Sequence, residues 1–336
     1  MANQQKKLKK CWTLTDGKAG MRSQVQGLSE ALGMPVEHKT CVRSKWLSLL
    51  PVRWTQFFLG LKSGGDNFEA PWPDLLIASG RRSIPLALHV RRKSKGKTFV
   101  VYTQDPRINP SHFDFVIAMD HDKVEGDNVK KISMALNGVT QEKLKDAAAR
   151  YKKKFETYKK PFCAIMIGGS THSYTMTDEV MDCFIQELRK LLESFKGALL
   201  ITPSRRTSAL HVEKIITAFK DEKRVFVADL TKDNPYYGFL GLADFFIVTD
   251  DSVNMMSECC ATSKTVYVYN LKGHEKTKAK KFSQKLISQN KAFLFDGTLK
   301  KEKNTYENET QKMANFLRDK LIRERGFSSD DFKGTV

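Results

Sequence analysis

Residues 161–192 read PFCAIMIGGSTHSYTMTDEVMDCFIQELRKLL, and the order of residue types in this stretch decides the fold. Phe162 to Ile167 is an apolar run of strand length, shorter than a helix needs. Gly168 and Gly169 interrupt it. Val180, Phe184, Leu188, Leu191 and Leu192 then recur at helical spacing, with Asp178 and Glu179 where the N-terminal end of a helix dipole favours carboxylates. A strand, a glycine turn and an amphipathic helix make up half of a βαβ unit, and such units build parallel sheets.

The same rhythm runs outward in both directions. Downstream, Ala198 to Thr202, Val225 to Ala228, Phe245 to Thr249 and Thr265 to Tyr269 read as strands. Upstream, the strands are Cys11 to Thr15, Val36 to Val42, Leu75 to Ser79, Thr98 to Thr103 and Phe115 to Met119. A polar, lysine-rich helical segment, Gln141 to Lys160, separates the two series and ends at Pro161. The chain has 336 residues, 40% of them hydrophobic, which exceeds one ordinary core and can fill two. The sequence therefore predicts an α/β protein of two doubly wound parallel-sheet domains, residues 1–160 and 161–300, followed by a C-terminal helix and tail over 301–336. Within that last segment Met313, Phe316, Leu317 and Leu321 form one stripe from Tyr306 to Arg325.

Lys plus Arg number 57 against 38 Asp plus Glu, a formal charge of +19, so the surface attracts polyanions, anionic membranes or phosphorylated substrates. The basic residues lie in scattered clusters: Lys6 to Lys10, Arg91 to Lys97, Lys152 to Lys154 and Lys276 to Lys281. No arginine-rich helix, zinc finger or aromatic-basic signature directs them to nucleic acid. The six cysteines lie mostly in apolar segments without a C-x-x-C pair, which suits reduced thiols in a reducing compartment. The N-terminal lysines precede an apolar stretch too short for a signal peptide, and no run reaches membrane-span length. The expectation is a cytoplasmic protein, either cytosolic or peripheral at the inner face of the cytoplasmic membrane. A helix over residues 45–62, with Trp46, Trp54, Phe57 and Phe58 flanked by Lys45, Arg53 and Lys62, suits membrane contact or a lipid-linked acceptor; packing against a sheet explains it equally.

In open parallel sheets ligands bind outside the carboxyl ends of the strands. In the second series those ends carry Gly168-Gly169-Ser170, whose glycines admit an anion to backbone N–H groups; Ser204-Arg205-Arg206, a diphosphate geometry at a helix start; and Asp250-Asp251-Ser252, with Asn254 and Glu258 in the helix that follows. Asp251 or Ser252 caps that helix, and the Glu258 carboxylate can accept the paired hydroxyls of a ribose. In the first series they carry Asp16-Gly17-Lys18-Ala19-Gly20, then Gly80-Arg81-Arg82, then Gln104-Asp105-Pro106-Arg107. Asp120-His121-Asp122 reads D-x-D, a metal-binding pattern in some glycosyltransferases, although short acid motifs recur by chance. The chain contains no P-loop, no G-x-G-x-x-G and no G-x-S-x-G elbow.

Taken together, D-G-K-A-G-x-x-x-Q, P-D-L-L-I-A-S-G-R-R-S, Q-D-P-R, I-G-G-S, T-x-S-R-R-T, N-P-Y-x-G-x-L and V-T-D-D-S-V-N-M-M-S-E-x-C-A-T resemble the mitochondrial-fission "elongated mitochondria" family over about residues 11 to 296. That family is similar in fold to GT-B glycosyltransferases, in which two Rossmann-like domains face across a cleft. Its plant members are known for recruiting a dynamin-related protein, which needs no chemistry. The second half also resembles the peptidoglycan N-acetylglucosaminyltransferase, whose G-G-S loop and S-E pair correspond to Gly168 to Ser170 and Ser257-Glu258. That resemblance implies a ribose on Glu258 and a diphosphate at Ser252 and Val253. The enzyme's first loop ends in histidine, and this chain has none there.

These readings lead to a glycosyltransferase that uses a nucleotide-sugar donor without metal or cofactor, acting on an envelope or lipid-linked acceptor. The donor residues are Gly168, Gly169, Ser170, Ser204, Arg205, Arg206, Asp251, Ser252, Asn254 and Glu258. The acceptor side is Gly17, Lys18, Gly20, Arg81, Arg82 and Arg107, and the candidate base is Asp16 or Asp105. The alternative is a non-catalytic scaffold that binds a protein partner or membrane. A sugar-nucleotide epimerase is a weaker reading, because the dinucleotide fingerprint is missing.

Overall fold

The computed structural model describes residues 9–41, 66–273 and 275–333. The chain forms two compact units, one of residues 1–138 with 308–336 and the other of residues 139–307. Each carries a six-stranded sheet whose strand pairs are parallel. The helix expected over residues 45–62 lies outside the described residues.

The first sheet comprises β1 (Cys11–Thr15), β2 (Val36–Thr40), β3 (Leu75–Ser79), β4 (Phe99–Thr103), β5 (Phe115–Met119) and β6 (Val129–Ile132), in the order β2-β1-β3-β4-β5-β6. β1, β3 and β4 are buried along their whole length, as strands covered on both faces must be. Alternate residues go to opposite faces. Leu75, Ile77, Phe99 and Val101 pack with Val25, Leu28 and Leu32 of α1 (Ala19–Leu32), while Leu76, Ala78, Val100 and Tyr102 pack with Ala87 and Val90 of α2 (Ile84–Lys93).

The second unit opens with α3 (Gln141–Lys152) and continues β7 (Phe162–Ile167), α4 (Asp178–Ser194), β8 (Ala198–Pro203), α5 (Ala209–Phe219), β9 (Val225–Val227), α6 (Tyr236–Leu242), β10 (Phe245–Thr249), α7 (Val253–Cys260), β11 (Thr265–Tyr269), α8 (Lys278–Ser288) and β12 (Phe293–Leu294). The strand order β12-β11-β10-β7-β8-β9 winds outward both ways from the adjacent β7 and β10. That pair is the topological switch point, where the loops on either side diverge and leave a crevice.

The division of the chain differs from the sequence reading in two places. The boundary falls at residue 138/139, not near Pro161. The reason is that α3, despite its lysines, buries Leu144 and Tyr151 against α6. A Cβ on Gly241 would lie 2.3 Å from the Leu144 carbonyl oxygen, and one on Gly238 would lie 2.4 Å from the Tyr151 ring. Only glycines permit that approach. The last helix, α9 (Glu309–Arg325), is not an appendage of the second domain: Met313, Ala314, Leu317 and Leu321 complete the first unit's core beside α1. The Arg325 guanidinium donates to Asp114 Oδ1 at 2.8 Å, and Arg91 Nε holds Oδ2 at 3.1 Å. Phe316, expected on the buried stripe, is 38% exposed and stacks on Phe115. β6 and β12, two strands that escaped the sequence reading, are the outermost strands at one edge of each sheet, the first polar and the second two residues long.

Among the described residues no helix is long and apolar enough to cross a membrane. No disulfide forms; Cys183 is exposed, and the other cysteines are buried. Burial pushes the Cys11 and Cys163 thiols up, so they stay protonated and unreactive.

Candidate functional site in the second unit

Three loops leave the carboxyl ends of β7, β8 and β10 and enter α4, α5 and α7. They are tied together by one carboxylate. Asp251, its side chain 1% exposed, accepts the Gly169 N–H at 3.0 Å and the Thr249 hydroxyl at 2.6 Å, and lies 2.9 Å from Arg206 Nη1. Arg206 also donates to the Gly169 carbonyl at 3.2 Å, and the Thr207 hydroxyl donates to the Gly168 carbonyl. Both glycines are required by proximity: a Cβ on Gly168 would sit 2.0 Å from Asp251 Oδ2, and one on Gly169 2.2 Å from the Arg206 carbonyl oxygen.

This arrangement revises several expectations. The Gly168 N–H donates to Thr249 Oγ1 at 2.8 Å and the Gly169 N–H to Asp251, so these groups knit loop to loop rather than cradle an anion. Asp251 and Arg206 are held in the same knot and act as its frame. Asp251 does not cap α7. The cap is Ser252, whose hydroxyl accepts the Met255 N–H at 3.4 Å. Asp250 turns the other way, accepting the Leu271 N–H and lying 3.0 Å from the buried Lys280 ammonium, which removes Lys280 from the surface basic cluster.

The residues outside the knot form a smaller set. Arg205 is exposed and makes no hydrogen bond or ion pair among the described residues, so its guanidinium is available to an anionic ligand beside the α5 N-terminus. Ser170 is exposed and accepts the Met176 N–H at 3.0 Å; Ser204 accepts the Arg206 N–H at 3.2 Å. Asn254 is partly buried in the first turn of α7. Glu258, 7% exposed, receives the Tyr236 hydroxyl at 2.6 Å. Burial, reinforced by the Glu258 charge, raises the Tyr236 phenol well above its ordinary range, so it remains a donor at neutral pH.

The sequence reading did not single out Tyr236, Thr207 or Thr249. Tyr236 lies in the N-P-Y-x-G segment, and the tight N-P turn before a glycine-bearing helix is the signal that it is held in place.

In the first unit, β1, β3 and β4 are neighbours and bring Asp16, Gly80-Arg81 and Gln104-Asp105 to one edge. Gly17 (φ 82°) and Gly80 (φ 89°) take left-handed turns, while Gly20 lies in the first turn of α1. The Asp16 side chain is 3% exposed and 3.5 Å from the exposed Lys18 ammonium. Arg81 and Arg82 are exposed. Asp105 Oδ1 accepts the Arg107 N–H at 2.8 Å, closing a turn in which Gln104 (φ 94°) and Arg107 (φ 55°) take left-handed conformations. Such conformations persist only where neighbours enforce them, and Gln104 Nε2 donates to the buried Gln24 at 3.3 Å. Asp122 of the D-x-D segment folds back to accept the Met119 N–H at 3.2 Å; among the described residues no three His, Cys, Asp or Glu side chains converge to hold a metal ion.

A sequence model of the family described as Mitochondrial fission ELM1 matches residues 19–321. The chain is 29% identical over 244 residues to the Mitochondrial fission protein ELM1 of Arabidopsis thaliana, covering 66% of this chain and 57% of that protein, so it spans little more than half of the plant relative. It is 25% identical over 349 aligned positions to Uncharacterized protein RP120 of Rickettsia prowazekii (strain Madrid E), covering 91% of this chain and 97% of that one. Among solved structures, the UDP-GlcNAc 2-epimerase of Methanocaldococcus jannaschii in complex with UDP-GlcNAc and UDP superposes with a TM-score of 0.56 at 10% identity, covering 94% of this chain and 100% of that one. A UDP-glucosyltransferase from Polygonum tinctorium gives 0.50 at 10% identity, covering 97% and 96%. At such identities the likeness is one of fold. With two Rossmann-like parallel sheets of the GT-B class and a family match over most of its length, the chain belongs to the Mitochondrial fission ELM1 family.

Proposed function

We propose that the protein is a metal-independent glycosyltransferase whose nucleotide-sugar donor binds the strand-end loops of the second unit and whose acceptor is an envelope or lipid-linked hydroxyl compound at a cytoplasmic membrane face. The observation that carries this reading is the set of three loops at the β7/β10 switch point, knotted by Asp251, with Arg205 exposed on one of them and Glu258 held by Tyr236 in the helix that follows another. Glu258 accepts the ribose hydroxyls. Arg205 and the N-terminal N–H groups of α7 meet the diphosphate, taking up the negative charge that grows on the leaving nucleotide as the bond from the sugar to the phosphate oxygen breaks. The acceptor hydroxyl loses its proton to Asp16 or Asp105 as its oxygen bonds to the sugar carbon, and Lys18, Arg81, Arg82 and Arg107 hold the acceptor.

A thermal-shift screen of nucleotide sugars tests the donor site, because a ligand at 100 times its Kd adds about 2.7 kcal/mol of stability. Glu258→Ala should abolish the shift; a response that survives unchanged rejects the site. Product analysis then separates chemistries, since an epimerase isomerises the nucleotide sugar without an acceptor, whereas a transferase releases nucleoside diphosphate only with one. Full transfer in both Asp16→Asn and Asp105→Asn would reject the base.

A second reading is a scaffold that binds a protein partner or a membrane without chemistry; the family's description, Mitochondrial fission ELM1, names a cellular process and not a reaction. The absence of any nucleotide-sugar shift would favour it.

A further inference from the structure

Tyr236 begins α6 and Glu258 lies in α7, two helices that flank β10. The Tyr236 hydroxyl donates to Glu258 Oε2 at 2.6 Å. The helix that carries the tyrosine is pinned at both ends. At its start, Asn234 Oδ1 accepts the Tyr236 N–H at 3.0 Å, and the Tyr151 hydroxyl donates to the preceding Asp233 carboxylate. At its end, Lys264 Nζ donates to the Leu240 and Gly241 carbonyls at 3.2 and 2.8 Å. Along its length, Gly238 and Gly241 seat it directly on α3. Anchoring of this kind fixes where the helix's first side chain stands, and a hydrogen bond from a residue locked in place is what holds another functional group in its productive geometry.

A carboxylate has about four acceptor positions in its plane, and receiving two adjacent hydroxyls requires that plane to be set. We propose that Tyr236 is a positioning residue for Glu258: its hydroxyl takes one position on Oε2 and fixes the carboxylate plane for a ribose diol. Discrimination between ribo- and deoxyribonucleotides then depends on Tyr236. The proposal rests on the donor-site reading of Glu258 given above.

The test is calorimetric titration of the whole chain with UDP, GDP, ADP and CDP, each beside its 2′,3′-dideoxy counterpart. The wild type should prefer the ribo form of the nucleotide it binds by about 10- to 100-fold, the range of hydrogen bonds to a charged group. Tyr236→Phe should lose most of that preference while its affinity for the dideoxy form stays unchanged, the unchanged affinity serving as the control for folding. If Tyr236→Phe keeps the wild-type preference while Glu258→Gln loses it, the donor site stands and the positioning role falls. Loss of dideoxy affinity in Tyr236→Phe also overturns it, by showing a general structural effect. If Glu258→Gln keeps the preference, or the wild type has none, the donor-site reading itself fails.

Discussion

The Asp251 carboxylate receives the Gly169 N–H, the Thr249 hydroxyl and the Arg206 guanidinium at 3.0, 2.6 and 2.9 Å. Removing its charge in Asp251→Asn leaves Arg206 unpaired and should lower stability by about 1–3 kcal/mol. Gly168→Ala, whose methyl would meet the same carboxylate at 2.0 Å, should cost about as much through overpacking. Calorimetric melting reads both, and wild-type melting in the pair would mean that the knot does not hold the loops. Lys264 gives a prediction of another kind. Burial lowers its ammonium to about 8. Between about pH 8 and the unfolded value of about 10.4 the unfolded chain binds more protons, so stability rises with pH through this group by at most about 1.4 kcal/mol per unit. Wild type should therefore gain on Lys264→Met as the pH climbs through that window; parallel stability curves would contradict the assignment. At this scale sequence reading found the residue types and missed their orientation. Two glycines before a helix look the same whether their N–H groups meet a phosphate or an aspartate far along the chain.

Strands such as Cys11–Thr15, Leu75–Ser79 and Phe245–Thr249 were legible because both faces of each are covered, which leaves an unbroken apolar run. β6, reading Val-Lys-Lys-Ile, was not, since an edge strand carries charge to discourage further pairing. The helices were legible as helices but not by partner. The stripe on α9 shows that something covers it without showing that α1 does, and α3 finds α6 through glycines that carry no periodicity. Leu317→Ala should therefore cost about 2–5 kcal/mol and expose residues 1–138 to limited proteolysis while residues 139–307 resist. Equal protection of both units would place α9 elsewhere.

For the molecule as a whole, the fold class followed from the alternation of elements, and the family from seven motifs in order. The reaction was less legible, because strand-end loops of this fold serve many substrates and it is the outward-facing side chains that choose among them. A net charge of +19 supports membrane-surface binding as part of the proposed function. Vesicles rich in phosphatidylglycerol should bind the protein at about 50 mM salt and release it at about 500 mM; binding indifferent to salt would point to apolar insertion instead.

Because α9 completes the core of residues 1–138, the order of synthesis is not the order of completion. As the chain emerges from the ribosome, residues 139–307 are made in full while the first unit still lacks the helix that packs beside α1. Domains usually mature from the N-terminus onward, but here the unit made first is finished last. During that interval the apolar side chains of α1 and Phe115 of β5, against which α9 packs, stay open, and this is the period in which a chaperone would be expected to engage the nascent chain.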